Sequence, residues 1–133
     1  MRKHQAPPAV LIVDEDLGFV GWLGELFSEA GYRALPALNC QQAVSLIKKF
    51  QLDVDVIAID AGLPGACGII ELLKRAHRPL KIVAILGPGG EWPADIPRHA
   101  TLDRPSGWEP ISRPVWLKKI LRVLKQAETK AAG

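Results

Sequence analysis

Several kinds of chemistry are excluded by what this chain lacks. Its 133 residues hold two cysteines, Cys40 and Cys67, with no Cys-x-x-Cys pair. The three histidines, His4, His77 and His99, lie far apart in sequence. Neither a disulfide framework nor a zinc site is expected, and two free thiols fit a reducing, cytoplasmic setting. No apolar run approaches the ~20 residues that a membrane helix needs. Met1 to Pro8 is basic but has no apolar signal core. Serine and threonine are missing between Ser45 and Thr101. The glycine-rich turn Gly87-Pro88-Gly89-Gly90 therefore lacks the Lys and Ser/Thr of a phosphate-binding P-loop. There is no internal repeat, low-complexity tract or linker to a second domain. Nor does one sign of charge dominate: the net charge is +3 and the pI about 9.0. That small excess favours solubility and only weakly an acidic partner.

What remains is an ordinary globular composition, 48% hydrophobic and 23% charged, at the length of one domain with its own core. Residues 1–8 and 128–133 read as mobile tails around a domain at 9–127, since Pro7-Pro8 cannot continue regular structure. Ala9 to Val13 reads as a strand. Asp16 suits the N-cap of a helix to about Ala30, with Val20, Leu23, Phe27 and Ala30 inward and Gly31 as its stop. A weak strand covers Tyr32 to Ala37. Asn39 caps a second helix with Ala43, Val44, Ile47 and Phe50 inward, and Lys48 and Lys49 suit its C-terminal dipole. A strand at 54–59 precedes a helix from about Cys67 to His77 with Ile69, Leu72, Leu73 and Ala76 inward. Lys81 to Leu86 is a fourth strand. Pro93 and Pro97 leave room only for a short or distorted helix. Ala100 to Leu102 makes an edge strand. Ser112 and Pro114 open a last helix to about Ala127, with Trp116, Ile120, Leu121, Leu124 and Ala127 on one face. Five strands alternating with helices predict an α/β fold: a doubly wound parallel sheet of flavodoxin-like order 2-1-3-4-5, with helices on both faces and the fourth short or irregular.

The stretch Asp55 to Gly65 organises the rest. Val56 to Ile59 is a short apolar run, mostly β-branched, that reads as a strand buried on both faces. It ends on Asp60 and a turn-forming loop with two glycines and a proline. Asp14-Glu15-Asp16 follows another apolar run, Val10 to Val13. In such sheets ligands bind outside the carboxyl ends of the strands, so the two acidic clusters converge on one edge. Asp14, Glu15 and Asp60 are hard oxygen donors that suit Mg²⁺, and a carboxylate beside Mg²⁺ can attack a phosphoryl group to give an aspartyl phosphate. The plainer reading of acidic residues after strands is helix capping, which Asp16 fits.

These residues resemble a known family. Leu11-Ile12-Val13-Asp14-Glu15-Asp16 looks like the acidic first-strand motif of bacterial two-component response-regulator receiver domains. Asp55 to Gly65, followed by Gly68, is similar to that family's phosphoacceptor strand and loop. The resemblance covers about residues 9–127. It implies Asp60 as phosphoacceptor, Asp14 and Glu15 with Asp60 as Mg²⁺ carboxylates, the Gly62 carbonyl as a further metal ligand, and a histidine kinase or phosphotransfer protein as donor. The chain departs from the family at its switch. Where the family has Ser or Thr at the end of strand four, Leu86 stands here. Where it has a Lys-Pro pair, this chain offers Arg104-Pro105 or Arg113-Pro114, of which Arg104 follows the better strand. The aromatic switch position falls on Thr101 or Pro110. Arginine can bind phosphate, but its planar fork is not a point-like ammonium.

The expected function is thus an atypical single-domain receiver in a phosphorelay. The alternative is a pseudo-receiver, an interaction module that is not phosphorylated. An enzyme is not expected. A haloacid-dehalogenase-like phosphatase would want a second Asp at position 62, and a flavodoxin's phosphate loop would not be acidic. No DNA-reading module is present. Trp92, Trp108 and Trp116 and the basic residues Lys118, Lys119, Arg122 and Lys125 gather in the last third of the chain. In receivers the output face lies here, so a downstream protein or a homodimer is expected on the 88–125 face, with Trp92 and Trp108 as anchors and Trp116 as core.

Overall fold

A computed structural model of the chain describes residues 7–50, 53–60, 62–75, 79–104 and 112–132. Its five strands are β1 (Ala9–Val13), β2 (Arg33–Ala37), β3 (Val56–Asp60), β4 (Lys81–Leu86) and β5 (Ala100–Asp103). All pair in parallel in the order β2-β1-β3-β4-β5. Among the described residues four helices cover the two faces: α1 (Leu17–Glu29), α2 (Cys40–Phe50), α3 (Ala66–Lys74) and α4 (Arg113–Ala132). This is the expected flavodoxin-like fold.

Alternation along the central strands makes two cores. Val10, Ile12, Val56, Ala58, Val83 and Ile85 face α1 and α4, while Leu11, Val13, Ile57, Ile59 and Ile82 face α2 and α3. Because both faces are covered, every residue of β1 is fully buried, which is why the strand reads as a continuous apolar run. Asp55 ties the entry of the sheet: its Oδ2 accepts the Ala9 N–H at 2.8 Å and its backbone bridges Ala9 and Lys81. On edge strand β2, Arg33 N donates to Pro8 O and Ala37 O accepts from Asp14 N. Residues 33, 35 and 37 thus aim their backbone groups at β1, and Ala34 and Pro36 aim theirs outward. Pro8, expected in the tail, is held by that bond.

The capping reading matches the structure. Asp16 Oδ1 accepts from Phe19 N at 3.1 Å, Asn39 Oδ1 accepts from Gln42 N at 2.8 Å, and Gly31 ends α1 at φ 96°.

Some expectations are corrected. Among the described residues, 87–99 hold no helix. Pro93 and Pro97 remove backbone donors, and the segment closes instead as turns, with Gly90 N on Gly87 O and Ile96 N on Pro93 O. α4 continues to Ala132 rather than ending near Ala127: Ala127, Ala131 and Ala132 favour helix and Lys130 suits its C-terminus. Of the expected 128–133 tail, only Gly133 lies outside the described residues, as do 1–6 of the N-terminal one. On α4 Val123 is buried and Leu121 exposed. α3 ends at Lys74, and Ala76 and His77 lie outside the described residues. Trp116 is core, packed edge-on against Trp22 at 4.8 Å and Phe19 at 6.3 Å. Trp92 is not an exposed anchor. It is half-buried beside Ile96 in the second core, and its Nε1–H donates to Ile96 O at 2.7 Å. Trp108 lies outside the described residues. Also among the described residues, no helix is long and apolar enough to cross a membrane.

Candidate functional site

Parallel pairing of β1, β3, β4 and β5 delivers their carboxyl ends to one edge. Asp14 follows β1, Asp60 ends β3, Leu86 ends β4 and Arg104 follows β5. The Arg104 N–H donates to Leu86 O at 2.8 Å, which fixes where its side chain begins. From there the guanidinium lies among three carboxylates. Nη1 is 3.3 Å from Asp14 Oδ1 and 3.9 Å from Asp16 Oδ2, and Nη2 is 3.8 Å from Asp60 Oδ2. Its Cζ sits over the Phe19 ring at 5.5 Å, where the ring's negative face adds attraction. The arginine side chain is 22% exposed and Asp14 is fully buried.

Each carboxylate is held differently. Asp14 Oδ1 accepts from Asp16 N at 2.9 Å, while its Oδ2 is buried with no hydrogen-bond partner. Burial pushes the Asp14 carboxyl above its ordinary value. The Asp16 N–H and Arg104 oppose that rise, and the charges of Asp60 and Asp16 add to it. Asp60 Oδ1 accepts from Gly62 N at 2.8 Å and its carbonyl accepts from Leu63 N at 3.2 Å, so the loop folds back on the strand end. Its Oδ2 is left facing Arg104. Gly65 turns the chain into α3 at φ 87°, where a side chain would be strained and a Cβ would meet Cys40 Cβ at 3.2 Å.

Of the expected residues, Asp14, Asp60 and Arg104 come together and Gly62 lies beside Asp60. Glu15 does not join them: it is exposed and makes no ion pair or hydrogen bond among the described residues. Asp16 takes that place, serving as both helix cap and third carboxylate to Arg104. Among the described residues no group of three or more His, Cys, Asp or Glu is gathered closely enough to hold a metal. Arg113 lies elsewhere, bridging α4 to Glu25 and Glu29 of α1. The position beside Asp60 on β4 is Ile85, with Leu86 following it, so no hydroxyl faces Asp60 from β4. Sequence reasoning missed Asp16 as a charge partner and Phe19 as the ring beneath Arg104. An aromatic three residues after the acidic cluster was the available signal.

No protein-family model matches the chain. A 66-residue stretch is 38% identical to sporulation initiation phosphotransferase F of Bacillus subtilis (strain 168), spanning 50% of this chain and 51% of that protein. The fold matches chemotaxis response regulator CheY4 of Vibrio cholerae at TM-score 0.59 and 18% identity, over 88% of this chain and 98% of that one. It also matches a response regulator receiver protein from Sinorhizobium medicae WSM419 (TM-score 0.62, 13% identity, 93% and 97%). A third match is the signal receiver domain of an HD domain-containing protein from Pseudomonas fluorescens Pf-5 (0.60, 17%, 98% and 96%). In fold over nearly its whole length, and in sequence over half of it, this chain resembles the receiver domains of response regulators.

Proposed function

We propose that this chain is a phosphorelay receiver that takes a phosphoryl group on Asp60, in the cytoplasm, from a phosphohistidine of a kinase or phosphotransfer protein. The observation that carries this reading is the disposition of Asp60: one oxygen is fixed by Gly62 N–H and the other faces a guanidinium. Oδ2 attacks phosphorus, the phosphorus–nitrogen bond of the donor breaks, and its electron pair leaves with the imidazole. The product is an acyl phosphate, and Arg104 neutralises charge on the phosphoryl oxygens. The chain is a carrier of the group rather than a turnover enzyme.

The donor set fits Mg²⁺. It is all oxygen, and Asp14 Oδ2 is a buried acceptor without a partner. Asp14, Asp60 and the Gly62 carbonyl would hold the ion, with Glu15 recruited from solvent. Bound there, Mg²⁺ supplies positive charge to the incoming phosphoryl oxygens.

The test is incubation with a small phosphodonor and Mg²⁺ followed by intact-mass measurement. A single phosphoryl adduct, lost in Asp60→Asn, is expected. No adduct in the wild type, or an undiminished one in Asp60→Asn, overturns the reading.

Leu86 and the enclosed guanidinium favour a second reading, a pseudo-receiver that acts through its surface alone. It predicts no adduct and an Asp60→Asn variant that still engages the partner.

A further inference from the structure

α4 carries six basic residues and one acidic one, a net charge of +5 against +3 for the whole chain, so the remainder of the chain is slightly acidic. That charge is not spread evenly. Arg122, Lys125, Gln126, Thr129 and Lys130 recur at helical spacing on one face of α4. They line a groove of about 580 Å³ whose other wall is Arg98, His99, Ala100 and Thr101, at the start of β5. The groove lies at the amino end of β5, the opposite end of the sheet from Asp14 and Asp60. It is open on one side because β5 is an edge strand of the sheet.

Among the described residues no carboxylate lines it. Among the described residues Arg98, Arg122, Lys125 and Lys130 take part in no ion pair. The uncharged lining adds donors. His99 Nδ1 accepts the Ile82 N–H at 2.8 Å, so the neutral ring carries its hydrogen on Nε2, and Thr101, Thr129 and Gln126 each have a hydrogen to give. Four cations and four neutral donors without an acceptor of negative charge form an anion-selective surface.

We infer that this groove docks an extended acidic segment of a partner protein. Arg122 to Lys130 spans eight residues of helix, about 12 Å at 1.5 Å each. Roughly four extended residues cover that length at 3.3 Å each, so a short Asp/Glu-rich stretch can meet all four cations. A second copy of this chain is a poor occupant. A two-fold contact through the groove would set Arg122 and Lys125 against the same cations of the other copy. A nucleic-acid strand is disfavoured too. Among the described residues the lining holds no Phe, Tyr or Trp on which bases could stack, and the acidic cluster at the far edge of the sheet repels a long polyanion.

The test uses the whole chain without Mg²⁺ or phosphodonor, so its outcome does not depend on Asp60 chemistry. A capped, fluorescein-labelled Glu-rich peptide of about six residues is titrated by anisotropy and by amide NMR. Saturable binding that weakens with salt and shifts the Ala100, Thr101, Gln126 and Thr129 amides is expected. Arg122→Glu combined with Lys125→Glu should weaken it at least about tenfold, while Lys118→Glu, exposed on α4 outside the groove, should change it less than about twofold. Arg98→Gln with Lys130→Gln repeats the test should the first variant melt early. Three results overturn the inference: no saturable binding, equal loss from Lys118→Glu, or tighter binding of an oligothymidylate of the same charge. A sedimenting dimer that the double variant disperses overturns it as well.

Discussion

Removing the Arg104 side chain leaves Asp14, Asp16 and Asp60 facing one another with no cation between them. At an effective dielectric near 20, unit charges 3.3 Å apart attract by about 5 kcal/mol before desolvation is counted. Desolvation offsets much of this, but Asp14 stays fully buried when its partner is gone, and breaking such a pair is costly. Because Arg104 is itself partly exposed, we expect Arg104→Ala to lose about 2 kcal/mol, which lowers Tm by roughly 6–10 °C for a domain of this size. The same change opens the carboxylates to a competing cation. At a Mg²⁺ concentration ten times its Kd the ion returns about 1.4 kcal/mol, so millimolar Mg²⁺ should raise the Tm of Arg104→Ala more than that of the wild type. Arg104→Lys should fall between them, since an ammonium carries the charge without the fork that reaches three carboxylates. Scanning calorimetry in chelator and in Mg²⁺ provides the measurement, and calorimetric titration gives the Mg²⁺ affinities. Equal melting temperatures in chelator, or a Mg²⁺ shift no larger in Arg104→Ala, would refute this account of the site.

Other outcomes follow from separate features. Arg113→Ala should barely move Tm, because its pairs with Glu25 and Glu29 are exposed, and it should leave Mg²⁺ affinity unchanged. Trp92→Ala should cost about 1–2 kcal/mol by chemical denaturation through lost packing and the freed Ile96 carbonyl; an unchanged midpoint would make Trp92 a surface residue. The folded-state pKa of His99 lies below its ordinary 6.5, through burial first and then the charges of Lys130 and Lys74. The unfolded chain therefore binds its proton first, and stability present above about pH 6.5 is lost as pH falls toward the folded value. His99→Gln should flatten that part of the pH–stability curve. Leu86 offers a phosphoryl group no hydroxyl, so beryllofluoride should perturb amide signals near Asp60 and leave those of α4 in place; wide changes reaching α4 would contradict this.

The sheet was legible because burial on both faces removes any ambiguity of face. Val10 to Val13 and Val56 to Ile59 can only be central strands, and the carboxylates that follow them must share an edge. Glycine and asparagine signals at Gly31 and Asn39 set helix ends for local reasons, so they too could be read residue by residue. What the residues alone left open depended on contacts between distant segments. Glu15 and Asp16 both stand beside Asp14, and a charge partner for either is not written in the sequence. Only the direction of Arg104, fixed by its backbone bond to Leu86 and by Phe19 beneath it, selects Asp16. Trp92 sits among prolines and glycines, which suggested exposure, yet a single carbonyl at Ile96 turns it inward. Leu121 and Val123 are both plausible inward positions on α4, and the packing of Phe19 and Trp22 against Trp116 decides the rotation of the helix. The groove at β5 left no signal in any one stretch, because its cations come from both ends of the span from Arg98 to Lys130.

The two rims of the sheet are not alike. On β2 the outward-facing positions are Ala34 and Pro36, and proline has no N–H to give. A stray strand approaching this rim finds a ladder with a rung missing, which is how natural sheets avoid growing into fibrils. Pro36→Val would restore the rung, and with it a seed for edge-to-edge aggregation that the wild-type sequence denies.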